Sequence, residues 1–181
     1  MAMFGNGNIK PIRCRQQIFL KFVIGKRQKQ MKPIIVLLGS FIICLIVSKI
    51  AIGNWNLVFS GTIAMCLMLC FTAMGHFMFT KGMTMMIPEF IPFKKEFVYV
   101  TGVAEILLGV LLLFPAYRYW AGILLILMFV LMLPANIRAA ITKLNLETAE
   151  YNGPGLSYLW FRIPLQILFI AWVWYFSINP T

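Results

Sequence analysis

Five apolar runs, at residues 33–52, 57–79, 97–114, 119–141 and 156–176, account for most of the chain between positions 33 and 176. Each is close to the ~20 residues a helix needs to cross a hydrocarbon core of ~30 Å. Alternating polar and apolar segments of about ten residues, the mark of an outer-membrane barrel, are not seen, so the pattern predicts helices. Threaded through a bilayer in turn, the runs carry His76, Glu105, Asn136, Arg162 and Gln166 toward one membrane face. A charge or amide in hydrocarbon costs kilocalories unless it is paired or faces a cavity, so chemistry or binding is to be sought among these five.

Helical spacing tests whether they share an interior. At 100° per residue Gly102, Glu105 and Gly109 fall in one narrow wedge of the third run, which places Glu105 on the small-residue stripe that packs against other helices. Gly61, Met65, Met68, Thr72, Gly75 and His76 form one stripe of the second run, and Gly122, Leu125, Phe129, Met132 and Asn136 one of the fourth. Arg162 and Gln166 are an i, i+4 pair in the fifth. The first run offers only Ser40, Ser48 and Lys49, the last near an end where it can snorkel.

The predicted fold class is therefore all-α, a polytopic membrane four-helix bundle of spans two to five with an additional N-terminal transmembrane helix at its periphery. The corresponding organisation is a basic leader at 1–32, the extra helix at 33–56, the four-helix membrane domain at 57–176 and a short tail at 177–181. Glu105 is expected to pair with Arg162, whose five donors also reach Asn136 or the ring of His76. The same network read as structural glue would fix helix register with no ligand present.

Composition removes the soluble alternatives. With 61% hydrophobic residues, 12% charged and a mean hydropathy of +0.88, the chain has too little polar surface to coat a globule in water. Cationic residues set the orientation, because loops on the cytoplasmic side retain them. With the N-terminus inside, only Lys49 and Arg118 fall outside, against Lys81, Lys94, Lys95, Arg138, Lys143 and Arg162 inside even without the leader. The expected topology is N-in, C-out.

The leader inflates the net charge of +11. It reads either as a basic tail drawn to anionic head groups, at roughly 1 kcal/mol per Lys or Arg near the surface, or as an upstream extension of a chain that starts at Met31. It is not a secretory signal, and no aromatic or Gly-rich RNA-binding motif accompanies its charges, so nucleic acid is not an expected partner. Cys14, Cys44, Cys66 and Cys70 include no Cys-x-x-Cys, and the Cys66/Cys70 spacing of i, i+4 is too long for an unstrained disulfide. With one histidine and no cysteine cluster beside it, no metal site is expected.

The loop GMTMMIPEFIPF at 82–93 combines two prolines with side chains too apolar for a solvated loop. It is expected to lie in the interface or to fold back as a lid over the bundle mouth. Glu89 between Pro88 and Pro92 offers a second carboxylate to the pocket or is a solvated or N-capping acid. Asn152-Gly153-Pro154-Gly155 is a turn signal before the last helix, whose Trp160, Trp172, Trp174 and Tyr175 suit the two interfacial belts.

The strings GHFMFTKGMTMMIPEFIPF, YVTGVAEILLG, LPANIRAAI and LWFRIPLQILFIAW resemble the DoxX-like (DoxX/MauE redox-associated) bacterial membrane proteins over about residues 57–176. His76, Pro88, Pro92, Gly102, Glu105, Pro134, Asn136, Arg162, Pro164 and Gln166 carry the resemblance. It implies a four-helix bundle in the bacterial inner (plasma) membrane and an association with thiosulfate oxidation to quinone or with membrane redox complexes. Distant animal relatives act in receptor assembly, so kinship does not settle activity.

No Gly-rich dinucleotide motif, Cys-x-x-Cys-His or cysteine set is present for a flavin, haem or iron–sulfur cluster, and no covalently bound cofactor is expected. Electrons would have to be carried by a quinone or a separate subunit. Two functional classes follow. In one, the protein is a quinone- or lipid-binding subunit of a membrane redox system, with Glu105 and His76 as candidate catalytic residues and Arg162, Asn136, Gln166 and Glu89 as candidate binding residues. In the other it is a non-enzymatic scaffold or assembly factor. The expected partners are the lipid bilayer and a membrane redox subunit or a second copy of the chain. A transporter is disfavoured, because no inverted repeat is visible. Whether the chain is an enzyme is left open by its residues.

Overall fold

A computed structural model describes residues 32–179. The basic leader, with Cys14, lies outside the described residues. Six α-helices follow in order: α1 (Lys32–Ile52), α2 (Leu57–Met78), α3 (Thr80–Met86), α4 (Lys94–Leu111), α5 (Pro115–Ile141) and α6 (Ser157–Val173), the last running on into a π-helical turn at Trp174–Ile178. There is no strand among the described residues, only an isolated bridge between Asn145 and Glu150. The chain is an all-α helical bundle.

Local chemistry sets the helix ends. Lys49 donates from Nζ to the Gly53 carbonyl at 3.0 Å and Gly53 turns the chain at φ +78°, which closes α1. Asn56 caps α2, its side-chain oxygen accepting from the Phe59 N–H at 3.0 Å. Pro115 opens α5 at a position where its missing N–H costs nothing.

The segment at 82–93, expected as a loop, is in part helical. Pro88 excludes the helical conformation only from the residue before it, and Ile87 is accordingly extended at ψ 133°. Upstream of that restriction, residues 80–86 form α3, and irregular backbone is confined to the stretch from Ile87 to Phe93. α3 folds back against α4 and α5, where Met86, Ala139 and Leu144 make a small apolar core.

The helices around the main core make a ring: α2 packs on α4, α4 on α5, α5 on α6, and α6 returns to α2. Met65, Met68 and Leu69 of α2, Leu125 and Phe129 of α5, and Leu165, Phe169 and Val173 of α6 fill its middle. α1 sits at the edge. Leu37 is the one fully buried apolar side chain among its described residues, and Phe41 meets the rings of Trp172 at 4.9 Å and Phe176 at 5.6 Å. Trp172 consequently faces inward, donating to the Gly61 carbonyl at 3.0 Å, instead of sitting in an interfacial belt.

The exterior is apolar over most of its area, with Ile35, Ile43, Ile46, Leu67, Leu107, Leu131 and Ile167 among the exposed residues. α1, α2, α5 and α6 with its π turn are long and apolar enough to cross a membrane. α4 is the exception to the five expected spans. It begins three residues earlier than its apolar run, at Lys94, and so carries Lys94, Lys95, Glu96 and Glu105 within 18 residues. A polar interior inside an apolar coat is the arrangement of a multi-pass membrane protein.

Candidate functional site

Glu105 is the most deeply buried acid among the described residues, 3% exposed on the α4 face that meets α2. Small residues make the approach feasible. Gly102, one turn before it, lies so close to α2 that a Cβ there would stand 2.9 Å from the Cβ of His76, and Gly109, one turn after, lies against Leu69. Between these contacts the carboxylate meets two partners on α2. Thr72 donates from Oγ1 to Oε2 at 3.0 Å, and His76 Nε2 stands 3.5 Å from Oε1.

The imidazole is oriented from its other side. Nδ1 lies 3.2 Å from the Val98 carbonyl and 3.2 Å from Thr101 Oγ1. The Thr101 hydroxyl spends its hydrogen on that same carbonyl at 2.9 Å, and a carbonyl can only accept, so the hydrogen in the cluster's remaining contacts must come from Nδ1. Nε2 is thereby the nitrogen turned toward Glu105, and a proton on either partner makes the contact attractive.

Arg162 is not the partner of Glu105. Glu105 sits on α4 and Arg162 on α6, helices that alternate around the ring, and the carboxylate is met first by the two side chains on adjacent α2. Among the described residues Arg162 makes no hydrogen bond and no ion pair. The gap between the two is a cavity of about 30 Å³, room for one or two water molecules. Its polar wall consists of Thr72, Glu105, Asn136, Arg162 and Gln166. Met68, Met132, Phe129 and Phe169 supply most of the apolar wall.

Asn136 is held by Tyr158, whose hydroxyl donates to its Oδ1 at 3.2 Å. Gln166 donates from Nε2 to the Phe129 carbonyl, and its Oε1 is buried without a partner among the described residues. The structure thus brings four of the six singled-out residues, Glu105, Asn136, Arg162 and Gln166, onto one cavity. His76, expected as a candidate catalytic residue, stands behind Glu105 at 3.5 Å and does not line the cavity. Glu89 is exposed in the turn between its prolines, away from the cavity.

Sequence reasoning missed Thr72 as a ligand of Glu105, Tyr158 as the support of Asn136, and Thr101 with Val98 as the seat of His76. Thr72 had a signal: it lies one turn before His76 on the same stripe. Tyr158 had none, because it reaches Asn136 across a loop whose path spacing does not encode. Among the described residues no three of His, Cys, Asp and Glu cluster as they would to hold a metal ion.

These features define an α-helical protein with an apolar coat and an interior polar cavity. Residues 65–177, more than half of the chain, match the family described as Domain of unknown function (DUF8561), and the chain belongs to that family. No curated protein and no solved structure matches it.

Proposed function

We propose that the protein is a membrane-embedded binding subunit whose interior cavity takes the polar head of an amphiphile, a quinone or a lipid, in association with a membrane redox system. The observation that carries the reading is Arg162, a half-buried cation that lines a cavity together with a buried carboxylate, yet is paired with nothing among the described residues. A network serving only as glue would close Arg162 on Glu105, because an unpaired charge even half-buried among apolar helices is costly.

In this reading Arg162 and the Asn136 amide donate to the head-group oxygen. Glu105, backed by His76 and Thr72, holds or releases a proton beside it. The cavity of about 30 Å³ receives only the reacting oxygen, and a whole ring enters when Met68 and Met132, with three rotatable bonds each, move aside. The DoxX-like resemblance supports the redox association, and the cationic loops support an inner-membrane topology with the N-terminus inside. The chain's own residues supply no electron carrier, so a quinone or a neighbouring subunit would do so.

The test is mass spectrometry of small molecules extracted from the gently solubilised protein, comparing wild type with folded Glu105→Gln and Arg162→Ala variants. A stoichiometric quinone or lipid in wild type that both variants lose is the expected result. One observation favours the scaffold reading instead: the carboxylate already accepts from Thr72 and has His76 Nε2 at 3.5 Å, and the cavity is small. An empty wild type, with both variants merely less stable, would establish that alternative.

A further inference from the structure

The cavity wall fixes the kind of oxygen it can hold. Gln166 is 8% exposed, and its amide orientation is decided by the Phe129 carbonyl, which accepts from Nε2 and could not pair with another oxygen. Oε1 is therefore a buried acceptor without a hydrogen-bond partner among the described residues, on a side chain that lines the cavity. The Arg162 guanidinium one turn earlier, and the Asn136 amide nitrogen, are donors on the same wall with no acceptor among the described residues.

We infer that the site selects a hydroxyl, an oxygen that donates to Gln166 Oε1 while accepting from Arg162. This rests on the reading of the cavity as a head-group site and narrows its ligand. A carbonyl, an ether or a fully ionised phosphate offers acceptors alone and would leave Oε1 unpaired in the interior. An ammonium offers donors alone; Glu105 could accept one, but Arg162 and the Asn136 amide would be left without an acceptor beside a second cation. An alcohol or a phenol, including the reduced form of a quinone, satisfies both kinds of group with one atom. That atom also fits a cavity of about 30 Å³, which has room for one or two oxygens. A water molecule has the same donor and acceptor capacity, so the experiment must separate it from an amphiphile.

The full chain, solubilised in detergent doped with equal amounts of 4-dodecylphenol and its methyl ether, is studied by native mass spectrometry, which resolves the two by mass. The phenol is expected to be bound over the ether by at least about tenfold, since a site built around a hydrogen bond rejects the analogue that lacks the hydrogen. Gln166→Leu should bring the ratio to about one, and Gln166→Glu, which keeps an acceptor, should preserve a preference. Equal binding of phenol and ether by wild type would overturn the inference without recourse to any variant. A decyl-substituted benzoquinone forms the third arm. If it displaces the phenol and binds more tightly, the head-group reading stands and the hydroxyl preference falls. If none of the three binds saturably, both fall and the cavity is a water site.

Discussion

Single positions decide whether Glu105 meets its partners. Gly102 allows α4 to approach α2 closely enough that the His76 ring reaches the carboxylate, and even one added methyl would stand 2.9 Å from the His76 Cβ. Gly102→Ala is expected to lower stability by about 1–3 kcal/mol through overpacking and to separate His76 from Glu105. Gly39 of α1 is the control, since a Cβ at that position would meet nothing within 4 Å. Gly39→Ala should be neutral or stabilising by up to about 1 kcal/mol, because alanine is the better helix former. Thermal unfolding in detergent ranks the two. An equal response would mean that the α2–α4 approach is looser than its geometry indicates.

At the scale of elements, the return of α3 against the chain after α5 depends on another close approach. A Cβ on Gly82 would run into the carbonyl of Leu146, a backbone atom that cannot rotate out of the way. Gly82→Ala should therefore lift α3 from the segment at 144–146. Amide hydrogen exchange should rise in residues 80–86 and 144–151 while α2 and α4 keep their protection. Unchanged exchange in α3 would refute the contact. The helices themselves were legible because long apolar runs have few alternatives: α1 and α2 end within a residue of the pattern. α4 was misplaced because its first turn, Lys94-Lys95-Glu96, is charged, and hydropathy registers a helix only where it is apolar. α3 was hidden because a proline signals a break more strongly than it marks where the break begins. The common face of Glu105, Asn136, Arg162 and Gln166 followed from periodicity. The pairing did not, because a face fixes direction and leaves open which neighbouring helix supplies the nearest group.

For the whole molecule, the division of labour between α1 and the ring yields a further expectation. α1 gives the main core one fully buried apolar side chain, Leu37, and an aromatic contact through Phe41, and four other helices, α2, α4, α5 and α6, line the cavity without it. A chain beginning at residue 53 should still fold in detergent with a lowered melting temperature and should retain whatever ligand the intact chain retains. Loss of the ligand with the bundle intact would give α1 a part in the site.

The packing around Gly61 bears on traffic through the bundle. The ring of Phe176 lies directly on that glycine, Trp172 holds its carbonyl, and Ser177 of the π turn sits where a side chain on Gly122 would have to go. α2, α5 and α6 thus pack closely at the end opposite His76, with no polar residue from the cavity reaching that far. Packing of this kind at one end would make the proposed site a well rather than a conduit. If the proposed amphiphile binds, it would have to leave by the way it entered, with its tail in the lipid while its head is inside.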